Sequence, residues 1–384
     1  MSRRWWWPLS LLCLLAFAGD HAGWSGTAVF VTAALGTVPA AALLGEATEQ
    51  IAVGITGREM ARQESRGQPI RATTLGAKVG GLLNATFGNV PELFVGLLAL
   101  HQGYITLTKA TIAGSVIGNA ALVLGLSLFF GGLRNGTQRF DAREAGHHAV
   151  LMALAVAALV LPSLFAARTA GGHVDEISIF AASLLLLIYA AYLLFSIFQL
   201  RGGRGKNQDK TFIEEEAEVV RDLSQILSHW PLRLSVLVVA GATLLVFASS
   251  EALVDTVKPF THSFGWSPFF VGIVVVPLFG NMAEQSSAIL LAYRNRMNTA
   301  LGVASGSSIQ VAVFVVPVLV FASLLSHSLT LVFNPIEIAV LALVVVIFFF
   351  VSQDGESNWL EGLQLIVLYA MAAAVFFFVP GQLR

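Results

Sequence analysis

Between Gly26 and Phe378 the chain is a succession of apolar runs divided by short polar stretches, and each run is about the 20 residues that a bilayer-crossing helix requires. Only 12% of the 384 residues are charged and 56% are hydrophobic, whereas a soluble domain carries about a quarter charged residues. The sequence therefore reads as an all-α polytopic membrane protein. A formal net charge of −1 offers no bulk basic surface for nucleic acid. Cys13 is the single cysteine, which excludes an internal disulfide and a cysteine-based metal site.

Spans are expected near 5–19, 25–45, 75–101, 105–131, 147–167, 177–199, 233–254, 267–293, 298–323, 330–351 and 358–379. That is about eleven transmembrane helices in a 1+5+5 arrangement. Residues 5–19 follow Arg3 and Arg4 and read as a retained helix with Trp5, Trp6 and Trp7 in the interfacial belt. The other reading is a signal peptide cleaved near Ala16-Phe17-Ala18. With alternating spans, seventeen of the 22 basic residues fall on one side, which places the N-terminus in the cytoplasm. The organisation expected is an N-terminal helix (1–22), a first half (23–200), a cytosolic linker (201–230) and a second half (231–384).

The apolar run at 80–100, GGLLNATFGNVPELFVGLLAL, carries two asparagines and a carboxylate. A shift of 192 residues places Phe87, Gly88, Asn89 and Glu92 on Phe279, Gly280, Asn281 and Glu284. The same shift places Gly114, Ser115, Ile117 and Ala120 on Gly306, Ser307, Ile309 and Ala312. An offset that survives a loop marks a true internal repeat. Five spans separate the two copies, so the halves are expected in inverted topology, as in many transporters.

A carboxylate at mid-membrane costs several kcal/mol unless it is paired, hydrated or protonated. Inverted packing would bring Glu92 and Glu284 together as a hard oxygen site, the kind that suits a dication such as calcium. Gly88, Gly280 and Pro91 would loosen their helices and free backbone carbonyls. Asn89 and Asn281 would add amide oxygens, hold the broken turns, or serve only as glue between helices. Ser115, Ser307 and Ser308 orient the carboxylates or simply pack. A site that holds either a dication or protons is an exchanger. This chemistry implies cation/proton antiport and leaves the cation open.

The stretch at 80–100 and FGNMAEQSSAILLAYRNRMNTALGVASGSSIQVAVFVVP at 279–317 resemble the two alpha-repeats of the cation/proton exchanger (CAX) family, within the calcium/cation antiporter superfamily. The resemblance implies an eleven-helix Ca2+/H+ antiporter that exports calcium from the cytosol. It implies Glu92 and Glu284 as cation and proton ligands, with Asn89, Asn281, Ser115, Ser307, Ser308 and Gln310 around them; Asn84 also falls on the pattern. One position departs: the family commonly has histidine directly after the second glutamate, and here it is Gln285. Glutamine does not titrate near neutral pH as histidine does.

Between the halves, TFIEEEAEVVRDLSQILS at 211–228 repeats apolar residues at helical spacing, with Glu214, Glu218 and Asp222 as a stripe beside Glu215 and Glu216. It reads as a solvated surface helix or as an acidic helix that gathers cytosolic calcium. Glu46, Glu49, Glu251 and Asp255, near span ends, are access-path candidates alongside Gln285. His147 and His148 are expected at an interface without a role. No cofactor is implied; calcium and protons are the transported species, the bilayer is the partner, and homo-oligomerisation is left open. A bacterial inner membrane is the expected location. The alternatives are a monovalent-cation/H+ or Na+/Ca2+ exchanger on the same fold and, more remotely, a cation channel. An intramembrane enzyme lacks its motifs: there is no HExxH and no nucleotide loop.

Overall fold

The computed structural model describes residues 7–65, 82–83, 86–169, 172–198 and 230–379. Asn84 and the 211–228 segment lie outside the described residues. The chain is nearly all helical. A 3-10 turn, Trp7–Leu11, leads into α1 (Leu12–His21) and then α2 (Gly26–Ser65). There follow α3 (Val90–His101), α4 (Ile105–Asn135), α5 (Ala142–Thr169) and α6 (Val174–Phe198). Beyond the linker come α7 (Leu232–Phe264), α8 (Pro268–Gly280), α9 (Met282–Tyr293), α10 (Met297–Ser323), α11 (Pro335–Val351) and α12 (Trp359–Phe378).

Seven of these helices are long and apolar enough to cross a membrane singly, and α8 with α9 forms an eighth, bent by 60°. Several expected bounds are corrected. The helix expected to end near 45 continues to Ser65, and the one expected to end near 254 continues to Phe264. Hydropathy marks where a helix leaves the bilayer, whereas helix formers such as those in EATEQIAVGITGREMARQES extend it beyond. The long run at 75–101 is broken by a turn at Gly88-Asn89, and that at 267–293 by a turn at Asn281. The span expected from 330 begins only at Pro335. There Asn334 and Glu337 form a capping box, and the proline sits where its missing N–H is harmless. At the N-terminus, the ten residues of α1 cover only about 15 Å.

α4 and α10 are the most enclosed of the spans, with 72% of each apolar window buried. They meet where the Ser308 hydroxyl donates to the Val116 carbonyl at 3.3 Å, and these two positions are 192 residues apart. Each widens into a π turn just after its Gly-Ser motif, at Gly118–Val123 and Val311–Val315. α8 has a third, Val271–Val275. In α8 and α10 the wide turn lies directly before a proline, Pro277 or Pro317, which cannot donate the helical hydrogen bond. Gly114 lets α4 approach α8 closely, because a Cβ there would overlap the carbonyl oxygen of Ile273.

α2 and α7 pack along each other with α1 beside them. Thr37 and Ser249 hydroxyls are 2.6 Å apart in that seam, and Ser249 donates to the Ala33 carbonyl. At one end of the bundle a short antiparallel pair, β1 (Gln138–Arg139) with β2 (Glu356–Ser357), ties two loops together. Gln138 also donates to Ala292 O at 2.8 Å and to Asn295 at 3.0 Å, adding the turn after α9. These three loops are among the segments expected inside. At the other end Gln102 donates to Asp255, and Lys258 lies over the Tyr104 ring.

Candidate functional site

The motif GNxxE has a structural meaning: asparagine is the N-cap of a helix and glutamate its third residue. Asn89 caps α3 with φ −102° and ψ 19°, and Asn281 caps α9 with φ −96° and ψ 0°. Glu92 and Glu284 thus stand in the first turn, where unpaired N–H groups and the helix dipole favour a negative group. Pro91 fits beside Glu92 because a first-turn residue needs no N–H partner. The breaks expected at Gly88 and Gly280 are present, and they end one helix so that another can begin at the carboxylate.

Neither asparagine side chain hydrogen-bonds to the backbone of the helix it precedes. The Asn89 amide donates to Gln310 Oε1 at 2.7 Å, and its oxygen accepts from the Ser307 hydroxyl at 3.3 Å. Asn119 in turn donates to Ser307 at 2.9 Å. The Asn281 amide donates to Ser115 at 3.4 Å. Each break is therefore pinned to the central helix of the opposite copy. Ser308 does something else: its hydroxyl serves Val116 O and Ala304 O and joins the crossing.

Among the described residues, four buried oxygens at the site have no hydrogen-bond partner: both of Glu92, Oδ1 of Asn281 and Oε2 of Glu284. Glu92 is 4% exposed and lies against the second break, since a Cβ on Gly280 would stand 3.8 Å from Glu92 Oε1. Glu284 is half-buried. A small cavity beside Glu92 is lined by Thr37, Thr111, Leu253 and Pro277 among others. Unpartnered acceptors made of carboxylate and amide oxygen are the donor set of a hard cation. Among the described residues no three His, Cys, Asp or Glu cluster as a metal site, so amide, hydroxyl and water oxygens would complete the shell.

The remaining candidates scatter. Glu46 accepts from the Trp7 indole at 3.3 Å, and exposed Asp255 accepts from Gln102. Glu49 and Glu251 are half-buried on α2 and α7. None of these four lines the cavity beside Glu92. Gln285 is buried next to Glu284. His148 is 9% exposed, and its Nδ1 is 2.7 Å from the Ser305 hydroxyl on α10. Asn119, Thr37 and Thr111 were not foreseen. Thr111 stands one turn before Ser115 on the same helix face, a spacing that could have revealed it.

Known proteins resemble this chain along nearly its whole length. The sodium/calcium exchanger protein family matches residues 25–198 and 234–378. A Ca(2+)/H(+) antiporter of Synechocystis sp. is 36% identical over 97% of this chain and 96% of its own length. The Ca(2+)/H(+) antiporter ChaA of Bacillus subtilis is 34% identical over 94% of this chain and 95% of its own. The solved structure of the Ca2+/H+ antiporter YfkE superposes with a TM-score of 0.76 at 31% identity, covering 97% of this chain and 98% of that one. The H+/Ca2+ exchanger CAX shares the fold, with a TM-score of 0.69 at 17% identity over 96% of this chain and 90% of its own. With both halves of the chain matched and the asparagine-capped carboxylates standing in each, this protein belongs to the sodium/calcium exchanger protein family.

Proposed function

We propose that this protein exports Ca2+ across the membrane in exchange for H+, by alternating access around Glu92 and Glu284. The observation that carries the reading is the set of unpartnered oxygens on Glu92, Asn281 and Glu284, gathered from two repeat copies. A bound dication would satisfy them as ligands with both carboxylates ionised. In its absence protons neutralise the pair, because two bare carboxylates cannot share a desolvated site. The site is costly when empty and charged, so each species leaves as the other arrives. The full-length relatives named Ca2+/H+ antiporters support calcium as the cation and transport rather than catalysis.

Glu92 and Glu284 are the cation and proton ligands in this reading, with the Asn281 oxygen as a third. Asn89, Ser307 and Gln310 hold the first break in place, Ser115 holds the second, and Gly88 and Gly280 permit the turns. An N-terminal helix followed by two inverted halves of five helices, 23–200 and 231–384, is supported by the constant 192-residue offset and by the π turns of α4 and α10. The gathering of loops 136–141, 294–296 and 352–358 at one end supports the same alternation. The seventeen of 22 basic residues that this alternation puts on the side of those loops support a cytoplasmic N-terminus in a bacterial inner membrane.

The test uses proteoliposomes with an imposed pH gradient and labelled calcium, with sodium, potassium and manganese as competitors. Uptake that collapses with the gradient is the expected result. Uptake indifferent to the gradient would mark a pore and overturn the reading.

A further inference from the structure

Residues 327–334 join α10 to α11 as extended chain threaded into the protein. Leu329, Leu331 and Phe333 are 2%, 1% and 4% exposed. Non-helical backbone at membrane depth must find its partners within the protein, and side chains supply them here. Ser163 donates to Leu331 O at 3.1 Å and accepts from Phe333 N at 2.9 Å. Ser178 accepts from Leu331 N at 2.9 Å, and Glu337 Oε2 accepts from Asn334 N at 2.7 Å. Lys109 reaches over from α4, donating to Val332 O at 2.8 Å and to the Thr330 hydroxyl at 3.3 Å.

Two groups exceed what this bracing needs. Glu337 is 2% exposed, and its second oxygen, Oε1, is buried with no hydrogen-bond partner. Glutamine at this position would complete the capping box with Asn334 without burying a carboxylate. Lys109 is the other. A neutral donor would serve Val332 O and Thr330 as well, yet a half-buried lysine stands there. Among the described residues no ion pair joins Lys109 to Glu337, although the charge of each acts on the other. α11 packs against α4, its π turn, α5 and α12. From these elements, Lys109 is the charged group that reaches Glu337 among the described residues. His327 lies against Gly103, and Asp175 is held by Ser328.

We propose that Glu337, with Lys109 beside it, is a proton-binding site on the proton route of the exchanger, separate from the Glu92–Glu284 pair and closed to the cation. The proposal rests on the antiporter reading above. A proton on Oε1 removes the cost of an unpartnered buried carboxylate oxygen, and its release restores the negative charge facing Lys109. The fixed ammonium repels a dication, so the site takes protons alone. Its position suits the role: Lys109 is six residues before Ser115 on the same helix, about 9 Å along the axis. The strap thus lies between this end of the bundle and the carboxylate pair.

The experiment measures calcium uptake into proteoliposomes while pH is varied on the side of the 327–334 strap, for the wild type, Glu337→Gln and Lys109→Met. Glutamine keeps an oxygen for Asn334 N. The expected result is a flattened pH dependence for Glu337→Gln, with calcium KM unchanged at high pH, and a profile displaced by about one pH unit for Lys109→Met. Profiles that superimpose on that of the wild type, whatever the common fall in rate, would overturn the proposal and leave the antiporter reading intact. Should Glu337→Gln fail to fold, an undisplaced Lys109→Met profile has the same force. Wild-type uptake that ignores the pH gradient would overturn both.

Discussion

Glu92 and Glu284 occupy the same place in their helices, three residues after an asparagine N-cap of nearly identical backbone angles. Their surroundings differ. Asn89 is held from two sides, by Gln310 and by Ser307, and Asn119 steadies that serine. Asn281 has one long bond to Ser115, and its oxygen is unpartnered. The 192-residue shift explains why: the counterpart of Gln310 is Gly118, and that of Asn119 is Val311. Backbone architecture has been kept in both copies while the polar bracing has collected on one. A matched pair of breaks is enough to face two carboxylates. Binding and bracing can then be divided, with Asn281 free to ligate and Asn89 committed to the scaffold.

The largest effect tests what the copies share. Glu92→Gln and Glu284→Gln should each reduce proton-driven calcium uptake to background, because an amide can neither neutralise a dication nor release a proton. Full activity in either variant would remove that residue from the site.

The next test separates the asparagines. Asn281→Ala removes a ligand oxygen and should raise the calcium KM by about tenfold, the equivalent of ~1.4 kcal/mol. Asn89→Ala leaves Gln310 Oε1 without this donor and the Ser307 hydroxyl without this acceptor, and should cost about 1–3 kcal/mol of stability. It should lower the thermal unfolding midpoint in detergent more than Asn281→Ala does. Equal effects of the two variants on KM and midpoint would erase the proposed division. Gly114→Ala probes the frame instead. Its Cβ would meet the Ile273 carbonyl, which cannot move without α8, so a loss of about 1–3 kcal/mol is expected. An unchanged midpoint would show that the two helices separate freely.

The shared part of the site was legible in the sequence and the divided part was not. Asn at the cap and Glu at the third position form a local pattern, and its repetition at a fixed offset locates both breaks. The bracing depends on Gln310 and Asn119, and Asn119 has no polar counterpart to betray it. The contact of His148 with Ser305, 157 residues away, is invisible to a hydropathy profile. The strap was read as the start of a span because Leu329, Leu331 and Phe333 are apolar. The bonds that hold it extended come from Ser163 and Ser178, far off in the chain. Prolines follow the π turns of α8 and α10, but none follows that of α4, so no residue pattern common to all three marks them.

The smallest effect concerns the crossing of the central helices. The Ser308 hydroxyl donates to Val116 O, which joins matched positions of the two copies. The corresponding position in the first copy is Val116 itself, so the contact is polar in one direction only. That bond is 3.3 Å long and shared with Ala304 O, and interhelical hydrogen bonds in membranes average about 0.6 kcal/mol. Ser308→Ala should therefore lower the unfolding midpoint slightly and leave calcium KM unchanged. Ser307→Ala, one residue earlier, should act on exchange because it loosens Asn89 and Asn119 together. If Ser308→Ala disturbed KM as much as Ser307→Ala, the crossing would belong to the binding site, and separating frame from ligand would fail at the point where the two copies touch.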